Sequence, residues 1–276
     1  MRIFFLLILS IVISAVAVPP ADSLIFKNII GSVIYENIET GRYITNAAQQ
    51  FDGYPYVAGL LEKGDDKKAI VNLREFDCVT LVEAVSAISV CIKSQNVKYS
   101  DFENVLTRFR YRDGRPTGYE SRLHYFSEWL HNGVNIGFLD FVRPDSSYDT
   151  VRKVSFMTEN NKLYAPLKDQ KVLKSFKAFE KQLSDLKIPL VKTARVHDFE
   201  KNIREGDIIA FASGIKGLDY SHTALAFWKK NDRYEDVLHF IHASSKVGRV
   251  VLSGETLQEY LASHRNVIGI TVARIK

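Results

Sequence analysis

Apolar residues recur at 78, 81, 82, 85, 88 and 92, the one-sided spacing of a helix, and Asp77 stands before them as a cap. Upstream, residues 24–62 alternate apolar and polar stretches in a mostly helical way. Gly53, Tyr54, Pro55 and Tyr56 predict a turn into Val57-Ala58-Gly59, Lys63 to Lys68 a charged surface turn, and Ile70-Val71-Asn72-Leu73 a short strand. A second helical region covers residues 100–132, interrupted at Tyr111-Arg112-Asp113-Gly114-Arg115-Pro116, with Phe126, Trp129 and Leu130 at core spacing. Residues 140–190 are polar and Lys-rich and read as an insertion between two halves of one fold. From about 204 the period changes. Ile208 to Phe211, Thr223 to Trp228, Val237 to His242, Arg249 to Leu252 and Val267 to Ile275 predict strands. Helices first and strands later predict an α+β fold, with helices packed on an antiparallel sheet.

The chain opens with Met1-Arg2 and an apolar run from Ile3 to Val18. One positive charge, a short apolar stretch and Ala15-Val16-Ala17 have the form of a secretory signal peptide cut after Ala17. The run falls short of the roughly 20 apolar residues that span a bilayer, and no later segment is apolar enough to do so. The domain expectation is a signal peptide over 1–17 and a single domain over 18–276, elaborated over about 100–195. Export without a membrane anchor points to the periplasm of a double-membrane cell. The net charge of +5, one less without Arg2, is too small to require a nucleic-acid partner.

Two cysteines in an exported chain first suggest a disulfide. On one helix, however, Cys78 and Cys91 would sit about 20 Å apart along the axis, beyond bridging distance. Cys91 then reads as a buried apolar side chain. Cys78 falls in the first helical turn, where the N-terminal partial charge favours a thiolate, the attacking form. His222 leads into the strand Thr223-Ala224-Leu225-Ala226-Phe227 and is the candidate base. His242, on a neighbouring strand, is placed to orient that imidazole. His239, three residues earlier, points to the other face. No His-Glu-x-x-His run or zinc-type Cys spacing is present, and neither metal nor cofactor is expected.

These motifs carry a resemblance. Tyr54-Pro55-Tyr56-Val57-Ala58-Gly59, Phe76-Asp77-Cys78-Val79-Thr80-Leu81-Val82-Glu83, Gly206-Asp207-Ile208-Ile209, Ser221-His222-Thr223-Ala224 and Phe240-Ile241-His242-Ala243-Ser244-Ser245 resemble, in order, the NlpC-type cysteine peptidase superfamily. Arg74-Glu75-Phe76-Asp77-Cys78-Val79-Thr80, Tyr111-Arg112-Asp113-Gly114, the run from Gly118 to Phe126, and Gly217-Leu218-Asp219-Tyr220-Ser221-His222 resemble its N-acetylmuramoyl-L-alanine amidase-like branch. The resemblance runs from about residue 50 to the C-terminus. It implies a papain-like core and a peptidoglycan or muropeptide substrate. It further implies hydrolysis of the amide between the muramyl lactyl group and L-alanine. By position Cys78 is the nucleophile, His222 the base, His242 the orienting residue and Tyr56 an oxyanion partner alongside the Cys78 N–H. The chain departs from the superfamily's usual Asp-Cys-Ser in having Val79 after Cys78, which removes a hydroxyl beside the site.

Tyr111, Arg112, Ser121, Arg122 and Tyr125 are candidates to shape the pocket, the arginines being suited to a stem-peptide carboxylate. Ser221, Ser244 and Ser245 flank the histidines and are candidate cleft residues, while Glu83 reads as a structural ion partner. The alternatives are a stem-peptide endopeptidase cutting D-Glu from diaminopimelate, a non-catalytic wall-binding protein of the same fold, and a thiol-histidine acyltransferase acting on lipids.

Overall fold

The computed structural model describes residues 21–33, 40–143, 145 and 148–276. The leader-like segment 1–17 lies outside these residues. Helices α1 (Ala21–Val33), α2 (Thr40–Gln49), α3 (Cys78–Lys93), α4 (Tyr99–Arg110) and α5 (Phe126–Asn135) come first. The short strands β1 (Leu139–Phe141) and β2 (Asp149–Thr150) follow, then α6 (Phe156–Glu159), α7 (Gln170–Ser184), β3 (Ile188–Pro189), β4 (Val191–Lys192) and α8 (Val196–Phe199). The main strands β5 (Ile208–Ser213), β6 (Tyr220–Lys230), β7 (Asp236–Ser244), β8 (Arg249–Leu252) and β9 (Val267–Ile275) close the chain, with α9 (Leu257–Ser263) between the last two. The sheet runs β1-β9-β5-β6-β7-β8, antiparallel throughout, with β4 also pairing β9. The mixed, helices-then-strands architecture expected from the sequence is present. No helix among the described residues is long and apolar enough to cross a membrane.

Strand β5 is buried on both faces, which explains its unbroken apolar run. Ile208, Ala210 and Ala212 enter the core shared with α1 to α5, whereas Ile209 and Phe211 enter a second core with α8 and α9. Helix α3 lies in the middle of the first core. It starts where it does because Asp77 and Thr80 form a capping box: the Thr80 N–H donates to Asp77 Oδ1 at 2.8 Å and the Asp77 N–H to Thr80 Oγ1 at 2.9 Å. Leu81, Val82, Val85 and Ile88 are fully excluded from solvent, each burial contributing about 1.5–3 kcal/mol. Within the stretch read as an elaboration, α4 and α5 pack into this first core. Residues 154–183 instead build a small third cluster around Phe176, Leu167 and Met157.

Two local expectations are corrected. Ile70–Leu73 is not a strand: side chains meet the backbone at both its ends, Arg110 at the Ile70 carbonyl and Asp22 at the Leu73 N–H, and Asn72 folds the chain just beyond. Asn72 Oδ1 accepts from the Arg74 and Glu75 N–H groups, and the Leu73 N–H donates to Asp22 Oδ1 at 2.9 Å. The 63–68 turn is not simply a surface feature either. Asp66, at φ 53°, is fully buried and accepts from the Tyr111 hydroxyl at 2.9 Å and Arg122 Nε at 3.1 Å.

Candidate active site

Strands β6 and β7 pair from Leu225↔Ile241 to Lys230↔Asp236, so His222 and Thr223 stand beyond the paired stretch. The N-terminus of α3 meets β6 there. The Thr223 hydroxyl donates to the Cys78 carbonyl at 2.7 Å. The thiol itself lies beside the backbone N–H and hydroxyl of Thr223 and the N–H of Val79. The residue next to Thr223 is His222, whose Nε2 shares a 2.7 Å hydrogen bond with His242 Nδ1 on β7. Both rings project on the Phe211 and Phe240 side of the sheet. His239 turns elsewhere, its Nδ1 at 3.0 Å from the Ser253 carbonyl.

Tyr56 is held by its backbone and by packing against the first core. Its N–H donates to the Gly248 carbonyl at 2.9 Å, and it bridges to Phe76, two residues before Cys78. Its phenol pKa is raised, first by burial and then by Cys78 and Asp77, which places it beside the thiol. Tyr260 on α9 lies near the thiol as well, its ring centroid 6.1 Å from that of His222. Its hydroxyl is pushed up to about 12 by burial and then by Cys78 and Glu255, and its ring stacks on His264 at 3.8 Å.

The electrostatics differ from the thiolate expected at a helix N-terminus. Burial, then the Asp77 carboxylate, pushes Cys78 up to about 11, outweighing the Thr223 and Val79 donors. The residue that caps the helix is itself an anion, so it offsets the positive end of the dipole. Burial, then His242 and His264, lowers His222 to about 3; burial and His264 lower His242 to about 4. At pH 7 the three groups are a neutral thiol and two neutral imidazoles.

One depression is lined by the two histidines and another by Val79. The first, about 830 Å³, is walled by Ser221, His222, His242, Ser244, Ser245 and Tyr260, with Lys246, Glu255, His264 and Arg265 at its margins. The other, about 190 Å³, is walled by Val79, Arg122, Tyr125, Phe126, Tyr164 and Tyr220. The consecutive β6 residues Tyr220 and Ser221 line one depression each, and Val79, the residue after Cys78, lines the smaller. A third depression, at the opposite end of β9, has Arg143, Arg274 and Lys276 paired with Asp149, Asp207 and Asp140.

The three serines and Arg122 and Tyr125 therefore reach the clefts, but Tyr111, Arg112 and Ser121 line neither. Tyr111 is a core residue bonded to Asp66. Arg112 forks onto Glu128 with both bonds at 2.6 Å and stacks over Phe179. Ser121 closes a local turn to the Gly118 carbonyl at 2.6 Å. Even Arg122 is committed, to Glu62 at 2.6 Å and Asp66 at 3.1 Å. The Tyr125 hydroxyl donates to Glu180 at 2.7 Å. Glu83, read as structural, pairs with Arg110 at 2.7 Å inside the core. Tyr260 and His264 are site residues that the sequence reading missed. A single aromatic in a short amphipathic helix looks like ordinary core, and only the fold brings it to the thiol.

Residues 46–270 match the model of the amidase-like family described as N-acetylmuramoyl-L-alanine amidase-like. The chain belongs to that family. An N-acetylmuramoyl-L-alanine amidase from Bacteroides uniformis superposes with a TM-score of 0.77 at 34% identity, covering 86% of this chain and 99% of that one. A Bacteroides fragilis protein named as a candidate xylanase is also 34% identical, with a TM-score of 0.75 over 83% of this chain and 99% of that one. A Legionella pneumophila protein at 20% identity and a TM-score of 0.66, over 92% and 94% of the two chains, shares the fold. No curated protein matches the chain.

Proposed function

We propose that the chain is an exported cysteine amidase with a papain-like, NlpC-type core. In this reading it hydrolyses the amide between the muramyl lactyl group and L-alanine in peptidoglycan or its fragments. The observation that carries the reading is the position of the Cys78 thiol against Thr223, the residue after His222, with His222 hydrogen-bonded to His242.

The chemistry follows from that arrangement. With the shared proton on Nε2 of His222, its Nδ1 keeps a lone pair and His242 Nδ1 accepts. His222 takes the thiol proton as the sulfur attacks the carbonyl carbon. The S–C bond forms and the carbonyl oxygen gathers charge, stabilised by the Tyr56 hydroxyl and the Cys78 N–H. His222 then gives the proton to the nitrogen, the C–N bond breaks, and the peptide leaves as a free amine. Water, deprotonated by the same imidazole, hydrolyses the thioester and restores the thiol. Because the thiol and imidazole rest neutral, the proton moves with the attack rather than before it. A xylanase would need two carboxylates flanking the scissile bond; the groups gathered here are a thiol and imidazoles.

Mass analysis of products from defined muropeptides tests the bond assignment. A free peptide beginning with L-alanine is expected. A dipeptide left on the sugar would instead mark an endopeptidase.

A further inference from the structure

We propose that Arg152 is a positioning residue for His222: it clamps the β5–β6 turn and so fixes the irregular start of β6 that aims the imidazole. This rests on the reading of His222 as the base and adds the device that sets it.

Strand β6 is irregular next to its histidine. Phe211 pairs with His222 but Ala212 pairs with Tyr220, so Ser221 is one residue too many on β6. In a regular strand Tyr220 and His222 would share a face. The extra residue puts them on opposite faces. Tyr220 enters the first core, its hydroxyl 2.7 Å from Thr271 Oγ1. His222 lies on the other side, its ring 5.5 Å from that of Phe211 and within bonding reach of His242. The aim of the imidazole therefore depends on keeping the irregularity in one place, because a slip by one residue exchanges the faces.

A segment remote in sequence holds it there. The Arg152 guanidinium donates to the Asp219 carbonyl at 2.5 Å, to the Leu218 carbonyl at 3.4 Å and to the Ser213 carbonyl. The Asp219 carbonyl also accepts the Ser213 N–H at 2.9 Å, the rung of the ladder nearest the turn. A planar fork spread over three carbonyls of one turn fixes the shape of that turn. Beside it, the Ser155 and Phe156 N–H groups both donate to the Gly217 carbonyl at 3.0 Å. Gly217 has φ 77°, and a Cβ there would lie 2.6 Å from Ser155 Oγ, so this close approach requires glycine. The clamp has its own footing in the third cluster, which contains Val154 and Met157. The Val154 N–H donates to Ser184 Oγ at 2.9 Å and the Met157 N–H to the Tyr125 hydroxyl at 2.8 Å. The Asp219 carboxylate secures the same stretch to α5, accepting the Ser127 and Tyr220 N–H groups at 2.7 Å each. The third cluster thus acquires a role in the site: it carries the arm that holds the start of β6.

The test is a double-mutant cycle of Arg152→Ala and His222→Ala, read as kcat and KM on a defined muropeptide with thermal melting alongside. With His222 present, Arg152→Ala is expected to lower kcat about tenfold and to change KM less than about twofold, since the proton carrier drifts while substrate contacts stay. With His222 already replaced, the same substitution is expected to cost less than about twofold, because no imidazole is left to misplace. Arg152→Lys keeps the charge and loses the fork. It should show the same split at smaller size, and it carries the cycle if Arg152→Ala does not fold. An unchanged kcat, an equal loss in both backgrounds, or a loss confined to KM overturns the proposal. A failure of the reading beneath it shows differently: His222→Ala alone would then keep the rate of the unmutated protein.

Discussion

The Thr223 hydroxyl donates to the Cys78 carbonyl at 2.7 Å, tying the first turn of α3 to the strand that carries His222. The two residues are 145 positions apart, and this bond ties Cys78, the proposed nucleophile, to the strand of His222, the proposed base. Thr223→Val keeps the shape and the branched strand preference but removes the donor. About 1 kcal/mol of stability should be lost. Hydrolysis should fall about tenfold, the scale expected when reacting groups drift from an aligned geometry. Thr223→Ser should restore most of the rate. Paired kcat/KM and thermal melting measurements check both, and a rate unaffected by Thr223→Val contradicts the positioning role.

The hydrogen bond between His222 and His242 predicts unequal losses. His222→Ala removes the proton carrier and should cost on the order of 10³-fold in kcat/KM, within the range of general acid–base catalysis. His242→Ala removes only the group that fixes the ring, so a loss of about 10- to 100-fold is expected. Steady-state kinetics on a defined muropeptide, with melting curves to exclude unfolding, separates the two. A larger loss at 242 than at 222 would reverse the assigned roles.

The thiol's environment predicts slow alkylation near neutrality. Burial and Asp77 push Cys78 up to about 11. The rate of reaction with iodoacetamide should keep rising past the ordinary thiol midpoint near 8.5. In Asp77→Asn the midpoint should move down, because an anion beside the thiol is lost while the cap's acceptor oxygen remains. A rate plateau near pH 7 in the unmutated protein would show a resting thiolate and reject this account.

Acid should loosen the fold through the same imidazoles. Folded His222 and His242 are lowered to about 3 and about 4, whereas both return to about 6.5 when unfolded. A lowered folded value means that the unfolded chain binds more protons in between. Stability from these groups is therefore complete above about pH 6.5 and declines as pH falls toward 4. Denaturant unfolding at pH 7, 6, 5 and 4 measures the slope, and His242→Asn should flatten it. An identical slope in that variant would place the acid sensitivity elsewhere.

Much of the fold is legible in the chain because its signals are local. The bounds of β8 and β9 follow from apolar runs between turn residues, and the start of α3 follows from Asp77 ahead of a helical stripe. Ile70–Leu73 misleads because the same β-branched residues serve a loop whose end groups are met by the side chains of Arg110 and Asp22. In the site, His222 and His242 stand 20 positions apart on adjacent strands, a spacing that strand pairing makes readable. The partners of Arg112 and Arg122 are not readable in the same way. A guanidinium looks free in a sequence until the fold brings Glu128, Glu62 and Asp66 to it. Tyr260 lies on α9, a short helix that the sequence reading did not single out, and His264 caps its end.

The central claim is that the sulfur of Cys78 makes the covalent bond to substrate. Release of L-alanyl peptide by Cys78→Ala measures this most directly, since one small side chain replaces another and the fold is retained. The account predicts no release above the uncatalysed background, with an unchanged melting curve. Release at the rate of the unmutated protein would contradict it.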